Sequence, residues 1–199
     1  MNVCVFGASS EYIESSYLQA AHTLGRLIGQ KKWTLVFGAG STGIMGECAK
    51  GALEEGGHTI GVSPVFFQTM GVLSDELATL ELTETMSERK ARMEELADAF
   101  IVCPGGIGTF EEFLEVLTLR QLGQMYKPIC VLDTNGYYQD LITMLKQAVT
   151  KKFMSQETLD LFKVVQTPQE AVDYIANAPR DHHDVDLMVH ATMVHPHDS

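Results

Sequence analysis

The sequence predicts a single α/β domain with a Rossmann-like, doubly wound parallel sheet that is covered by helices on both faces. Two observations predict this class. Short apolar runs of strand length alternate with longer segments whose apolar residues recur at helical spacing. Turns rich in glycine or serine, at residues 7–10, 38–43 and 104–109, each follow an apolar run. Because the carboxyl ends of parallel strands meet at one edge of a sheet, we expect these turns to lie together.

The first half of the chain contains four predicted strands, at residues 2–6, 33–37, 58–62 and 77–82. Helices are predicted at residues 15–29, 43–55 and 85–97. The first of them has apolar residues at helical spacing: Leu18, Ala21, Leu24, Leu27 and Ile28. The third begins with the capping-box pair Thr85 and Glu88. Residues 63–75 are predicted to form a loop rich in Phe, Met and Gly.

The second half continues the alternation. Strands are predicted at residues 99–103, 129–133 and 163–166, and helices at 109–123, 137–150 and 168–176. Pro168 suits the first position of the last helix. Neither an internal repeat nor a linker interrupts the pattern, so we expect residues 1–178 to form one domain.

Residues 179–199 differ in kind. They contain five of the seven histidines, among Asp and Pro: His182, His183, His190, His195 and His197. The histidine spacing matches no metal-binding motif, so we expect a flexible or loosely docked tail. Adventitious metal binding is the alternative.

The composition excludes several classes of partner. The 199 residues have a formal net charge of −12, which argues against nucleic acid and anionic membranes as partners. No apolar run has the length of a membrane span, and the first residues lack the basic region of a signal peptide. Cys4, Cys48, Cys103 and Cys130 form no C-x-x-C pair. We therefore expect buried, reduced thiols, a cytoplasmic protein, and neither a zinc site nor a disulfide framework.

Gly38, Gly40 and Gly43 form a literal G-x-G-x-x-G after a strand and before a helix. A dinucleotide site also needs an acidic residue at the end of the next strand, where this chain has only Gly, Val and Ser at residues 61–63. No lysine follows Gly43, so the stretch is not a P-loop either. We interpret it as a possible wall of the ligand pocket.

Residues 104–112 (PGGIGTFEE) form the stretch with the clearest chemistry. Pro104 ends the preceding strand, and three glycines in the next four residues let the backbone turn sharply. Thr109 is predicted to be the N-cap of the following helix. Free N–H groups and the positive end of a helix dipole would then face one point, which is the pattern of a phosphate site.

Glu112 and Arg89 are the candidate functional side chains, and each has an alternative interpretation. Glu112 could act on a sugar beside the phosphate, or it could complete a capping box with Thr109. Glu111 and Glu115 remain open as the working acid. Arg89 could bind phosphate or orient Glu112, or it could lie with Lys90 and Arg92 on a solvated helix face.

Two linked motifs, at residues 86–90 (MSERK) and 104–112, resemble the M-x-x-R-K and P-G-G-x-G-T-x-x-E motifs of the LONELY GUY (LOG) family. The resemblance covers about residues 1–177. It implies a homodimeric Rossmann-like hydrolase that cleaves the N-glycosidic bond of a nucleoside 5′-monophosphate, either AMP or a cytokinin riboside 5′-monophosphate, without a cofactor.

By position in the motifs, the catalytic pair of the family falls on Arg89 and Glu112. Together with the glycine and serine turns, the resemblance gives this candidate substrate-binding set: Ser9, Lys90, Gly105, Gly106, Ile107, Gly108, Thr109, Phe110, Glu111 and Thr118. The chain departs from the family at Ser87, Gly71 and the pair Leu119 and Arg120. We expect those positions to border the base pocket and to affect base preference.

Two further expectations concern function and assembly. A non-catalytic nucleotide or molybdenum-cofactor carrier is the alternative to the hydrolase, because such carriers can share the fold and its glycine turns. True lysine decarboxylation is disfavoured, since we find no lysine in a setting typical of pyridoxal binding. The helix at residues 109–123 is apolar over more than one face, which predicts a homodimer interface beside its sheet-facing side.

Overall fold

A computed structural model of the chain describes residues 1–74 and 77–179. The predicted histidine-rich tail lies outside the described residues, apart from Pro179. No helix in the described ranges is long and apolar enough to cross a membrane.

Within the described residues, a single seven-stranded sheet forms the centre of the fold. Its strands are β1 (Asn2–Phe6), β2 (Thr34–Phe37), β3 (His58–Pro64), β4 (Thr79–Thr83), β5 (Ala99–Val102), β6 (Ile129–Leu132) and β7 (Phe162–Val165). They lie in the order β4-β3-β2-β1-β5-β6-β7, and every pairing is parallel. The strand order therefore reverses between β1 and β5, where Val3 pairs with Ala99 and Phe6 with Val102. Ligand clefts of doubly wound sheets form at such a reversal.

Helices cover both faces of the sheet, as the alternating pattern predicts. They are α1 (Ser15–Gln30), α2 (Gly43–Glu54), α3 (Val65–Thr69), α4 (Met86–Leu96), α5 (Ile107–Gln121), α6 (Gln139–Thr150) and α7 (Pro168–Asn177). Side chains of α1, α2 and α7 pack in the core on one face, and side chains of α4, α5 and α6 pack on the other. The central strands β1, β2, β5 and β6 are nearly continuous apolar runs because both of their faces are buried.

The predicted fold class is confirmed, and the differences are local. The predicted loop at residues 63–75 contains the short helix α3, and two 3₁₀ turns (Thr134–Gly136 and Gln156–Leu161) were not predicted. The predicted capping box of α4 is present, with the Glu88 amide donating to Thr85 Oγ1 at 3.1 Å.

The predicted N-cap of α5 is wrong. The helix begins at Ile107, and Gly106 is its N-cap, with φ −93° and ψ −154°. Thr109 lies within the first turn instead. Its side chain occupies the space beside Gly105, where an added Cβ would lie 2.1 Å from Thr109 Oγ1. The absence of a side chain at Gly105 therefore leaves room for Thr109, and the N-cap lies three residues earlier than predicted.

Candidate active site

A cleft of about 540 Å³ lies at the carboxyl edge of the sheet, beside the reversal between β1 and β5. The three turns that follow β1, β2 and β5 all contribute to its walls, so their predicted convergence is confirmed. The lining residues are Gly7, Ala8, Ser9, Ser10, Gly38, Gly40, Thr42, Met45, Phe67, Val72, Leu73, Met86, Arg89, Gly106, Gly108, Thr109 and Glu112.

The N-terminus of α5 points one end of a helix dipole at this cleft. Gly106, Gly108 and Thr109 line the wall there, and the first N–H groups of a helix have no partner within the helix. This arrangement suits a phosphate or another anion.

Two adjacent tyrosines brace the turn before α5. The Tyr137 hydroxyl donates to the Gly105 carbonyl at 2.6 Å, and the Tyr138 hydroxyl donates to the Cys103 carbonyl at 2.7 Å. The turn and the residue at its start are therefore held to the segment after β6 through their carbonyl groups.

Arg89 and Glu112 meet at the floor of the cleft. Arg89 Nη1 donates to Glu112 Oε1 at 2.9 Å, and Arg89 Nε donates to the Val62 carbonyl at 3.2 Å. The two residues are only 7% and 9% exposed. Arg89 is therefore not on a solvated face, and Glu112 is not part of a capping box, because Thr109 does not cap the helix.

Burial raises the pKa of Glu112 above the usual range of a glutamic acid. The charge of Arg89 and its hydrogen bond act in the opposite direction, and Glu111 adds a smaller upward effect. Arg89 thus favours the ionised carboxylate, but desolvation has the larger effect on the pKa. A carboxyl group with a raised pKa in a cleft is typical of an acid or base that exchanges protons.

Several residues of the predicted binding set lie on another surface. Lys90 forms ion pairs with Glu111 and with Glu115, the latter at 2.8 Å. A separate hollow contains five apolar or neutral residues and both of these acids: Ile107, Phe110, Leu114, Thr118, Leu119, Glu111 and Glu115. Of the three candidate acids, Glu112 is therefore the one in the cleft of this chain. The predicted substrate contacts of Lys90, Ile107, Phe110, Glu111 and Thr118 remain predictions.

An apolar wall of the cleft, beside the glycine turn after β2, was not predicted as a unit from the sequence. Met45, Phe67, Val72, Leu73 and Met86 form it. The loop after α3 is held against the turn after β2, because the Ser41 amide donates to the Val72 carbonyl at 3.1 Å and the Ser74 amide to the Ala39 carbonyl at 2.9 Å. The Phe and Met content of residues 63–75 was the available signal. The antiparallel bridge between Gly40 and Leu73 could not be predicted from the local sequence, because it joins residues that are far apart in the chain.

Two departures from the family pattern, Gly71 and Ser87, adjoin residues of this wall in the sequence, whereas Leu119 and Arg120 are not among the residues that line the cleft. Gly71, with φ +67°, directly precedes Val72, and Ser87 directly follows Met86. Arg120 is buried away from the cleft, where its Nη1 donates to the Lys127 carbonyl at 3.1 Å. The effect of these positions on base preference stays a prediction.

Seven parallel strands with a cleft at the point where strand order reverses define a Rossmann-like α/β protein. A family model with the description "Possible lysine decarboxylase" matches residues 45–175. The chain is 38% identical over 170 residues to the probable cytokinin riboside 5′-monophosphate phosphoribohydrolase LOGL3 of Oryza sativa subsp. japonica, covering 85% of this chain and 81% of the relative. It is 39% identical over 153 residues to the cytokinin riboside 5′-monophosphate phosphoribohydrolase LOG7 of Arabidopsis thaliana. That match covers 77% of this chain and 70% of the relative.

The chain therefore belongs to the LOG family, which confirms the resemblance of its motifs. Among solved structures, the molybdenum cofactor carrier protein of Chlamydomonas reinhardtii superposes with a TM-score of 0.67 at 25% identity, covering 88% of this chain and 95% of the carrier.

Proposed function

We propose that this protein hydrolyses the N-glycosidic bond of a nucleoside 5′-monophosphate, AMP or a cytokinin riboside 5′-monophosphate, to the free base and ribose 5-phosphate. The observation on which the proposal rests is the buried pair of Arg89 and Glu112 in a cleft that also contains the N-terminus of α5. The family relatives have phosphoribohydrolase names, which supports the reaction class.

In the proposed reaction, the 5′-phosphate binds at the turn of residues 105–109, where α5 offers free N–H groups. Binding energy at the phosphate then positions C1′ of the ribose beside Glu112. Arg89 holds the carboxylate through Nη1 while its Nε is anchored on the Val62 carbonyl.

Cleavage of the C1′–N bond develops oxocarbenium-like charge on the ribose, and the electron pair of the broken bond goes to the leaving base. The Glu112 carboxylate stabilises that charge and orients a water molecule. The water oxygen forms the new bond to C1′. One of its protons passes to Glu112. The leaving nitrogen of the base takes a proton from solvent water and Glu112 returns its proton to solvent, so that the free base and ribose 5-phosphate are the products and the carboxylate is regenerated.

The base is assigned to the apolar wall. Met45, Phe67, Val72, Leu73 and Met86 offer flat apolar surface suited to a purine ring. We infer that this wall and the adjacent positions Gly71 and Ser87 set base preference.

A carrier of a nucleotide or of the molybdenum cofactor is the second candidate, favoured by the likeness to the Chlamydomonas carrier. A carrier has no need of a buried carboxylate beside the ligand, whereas the hydrolase requires one. Lysine decarboxylation is not proposed, because a pyridoxal enzyme needs a Schiff-base lysine. The described residues that line the cleft include no lysine.

We further propose a cytoplasmic homodimer. All four cysteines are free and buried, as expected for a protein of a reducing compartment. Beside its sheet-facing residues, α5 has a second apolar surface with Ile107 at 83% exposure and Leu114 at 39%. A second copy packed there would cover this surface and bring Lys90 and Thr118 into an interface.

The decisive experiment incubates the protein with a panel of nucleoside 5′-monophosphates and measures ribose 5-phosphate and free base. We expect equal amounts of both products from at least one member of the panel. The matched control is Glu112→Gln, which keeps the size of the side chain and an oxygen acceptor for Arg89. Tight binding of nucleotide without turnover by the unsubstituted protein would instead support the carrier.

A further inference from the structure

The three glycines of the G-x-G-x-x-G stretch differ in what an added side chain would meet. Gly43 has φ +64°, and an added Cβ would lie 2.6 Å from the Ala8 carbonyl oxygen, so both conformation and space require glycine there. At Gly40 an added Cβ would meet the end of the Met45 side chain, at 2.7 Å. Gly38 does not have a positive φ, so its backbone conformation is open to any residue.

The space beside Gly38 is occupied by the guanidinium of Arg89. An added Cβ at Gly38 would lie 2.1 Å from Arg89 Nη2 and 3.2 Å from Cζ. It would also lie 3.2 Å from the sulfur of Met45, whose side chain can rotate away.

The guanidinium is held on three sides. Nε donates to the Val62 carbonyl of β3, Nη1 donates to Glu112 of α5, and Nη2 lies against the Gly38 backbone after β2. A planar guanidinium cannot move away from Gly38 without lengthening or bending at least one of the two hydrogen bonds.

We propose that Gly38 is a positioning residue for Arg89: its missing side chain creates the space in which the guanidinium lies while it holds the Glu112 carboxylate. The first glycine of a stretch that resembles a dinucleotide fingerprint thus serves the Arg89–Glu112 pair. This inference rests on the proposed hydrolase function. It assigns no contact between Gly38 and the reacting atoms.

The substitution Gly38→Ala is the direct test. The obstructing atom, Arg89 Nη2, is at the far end of a side chain. We therefore expect the variant to fold, with the structural change confined to the position of the Arg89 guanidinium. A displacement of about 1 Å in a catalytic group can lower the rate up to about 100-fold, so we expect kcat to fall by about 10-fold to 100-fold. We expect KM for the monophosphate to change by less than about 3-fold, because the N-terminus of α5 is untouched.

The pH profile provides a second readout. Three charged groups act on the pKa of Glu112: Arg89 and Lys90 from α4, and Glu111 from α5. The charge of Glu112 in turn raises the pKa of two further titratable groups, Cys4 in β1 and Tyr138 before α6. Arg89 lowers the pKa of Glu112, so its displacement raises that pKa further. The acidic limb of the kcat profile should therefore move to higher pH in Gly38→Ala.

A double-mutant cycle separates positioning from a general structural role. If Gly38 acts through Arg89, then Gly38→Ala should lower kcat strongly in the wild-type background and by less than about 2-fold in the Arg89→Ala background. Gly56→Ala is the matched control for the same change of residue, because an added Cβ at Gly56 meets no atom within 4 Å and Gly56 is not among the residues that line the cleft. Gly56→Ala should keep kcat. Equal fold-losses from Gly38→Ala in the two backgrounds would overturn the proposal.

Two further measurements test the proposal even if the wild-type protein is inactive or if Gly38→Ala is less stable. The Nε–H resonance of Arg89 in a ¹⁵N NMR spectrum should shift or broaden in Gly38→Ala, and an unchanged resonance would overturn the proposal even if the wild-type protein hydrolyses no nucleotide. If Gly38→Ala lowers the melting temperature of the wild-type protein, it should lower that of Arg89→Ala by less, because the clash is absent there. The comparison is made between these two backgrounds because Arg89→Ala itself leaves Glu112 buried without its partner. Equal losses in the two backgrounds would contradict the proposed position of Arg89 beside Gly38.

Discussion

Arg89 and Glu112 are 23 residues apart in the sequence, yet Arg89 Nη1 lies 2.9 Å from Glu112 Oε1 in a nearly solvent-free pair. The pair joins α4 to α5, the helices before and after β5. Glycine turns after β1 and β2 border the same cleft. A buried ion pair is weak evidence for stability, because desolvation offsets much of the attraction between the charges. Its place beside the proposed phosphate site fits the catalytic role that we propose for the pair.

Replacement of Arg89 by lysine tests the geometry of the pair. Arginine bonds Val62 and Glu112 in two directions from one planar group, whereas lysine has a single ammonium on a flexible stem. We expect Arg89→Lys to lower kcat by roughly 10-fold or more, because the carboxylate is no longer held in place. Steady-state kinetics with the best monophosphate of the panel measures this. Normal kcat in Arg89→Lys would show that only the positive charge matters.

The raised pKa of Glu112 predicts the pH dependence of turnover. The carboxylate is the active form, so kcat should fall as pH decreases through its pKa. Because burial raises that pKa, the fall should occur above about pH 4.3, the ordinary value for glutamic acid. The measurement is kcat at saturating substrate across pH. An acidic limb at or below the ordinary value would contradict the assignment of Glu112.

The fold and the site differ in how far local sequence determines them. Strands such as β5 were predictable because burial on both faces leaves a plain apolar run. The convergence of the glycine turns followed from parallel topology alone. The burial of Arg89 was harder to predict from local sequence. It depends on the space at Gly38 and on the Val62 carbonyl, and both residues are far from Arg89 in the sequence. The apolar wall depends on loop pairing near Gly40, which has no local signature.

The start of α5 shows how a tertiary contact overrides a local signal. The pattern of Thr109 and Glu112 fits a capping box, which predicts a later helix start. Thr109 instead packs against Gly105, and Glu112 bonds Arg89. Both capping-box side chains are therefore engaged elsewhere, and Gly106 takes the N-cap position.

Tyr137 should support phosphate binding through the Gly105 carbonyl. Tyr137→Phe removes one hydrogen bond of 2.6 Å to the turn, and a typical hydrogen bond contributes about 1 kcal/mol. We expect KM for the monophosphate to rise by about 3-fold to 10-fold with a smaller change in kcat. Inhibition by the matching nucleoside, which lacks the phosphate, is the control and should be unchanged. An equal loss of nucleoside affinity would mean that Tyr137 does not act on the phosphate turn.

The second apolar surface of α5 predicts a homodimer. Leu114 lies in the hollow with Ile107 and Phe110, so a charge at that position would be costly to bury between two copies. We expect the wild-type protein to have the mass of a dimer by light scattering at micromolar concentration, and Leu114→Asp to shift it towards monomer. Thr143→Asp, on α6, is the control and should remain dimeric. A wild-type monomer would remove this prediction.

The most direct test of the catalytic assignment is Glu112→Gln, measured for turnover and for binding of the same nucleoside 5′-monophosphate. We predict that ribose 5-phosphate formation falls by roughly 100-fold or more, because the neutral amide neither stabilises the developing charge nor accepts a proton. Nucleotide affinity and cooperative unfolding should be retained. Near-normal turnover in Glu112→Gln would contradict the account, whatever its effect on stability.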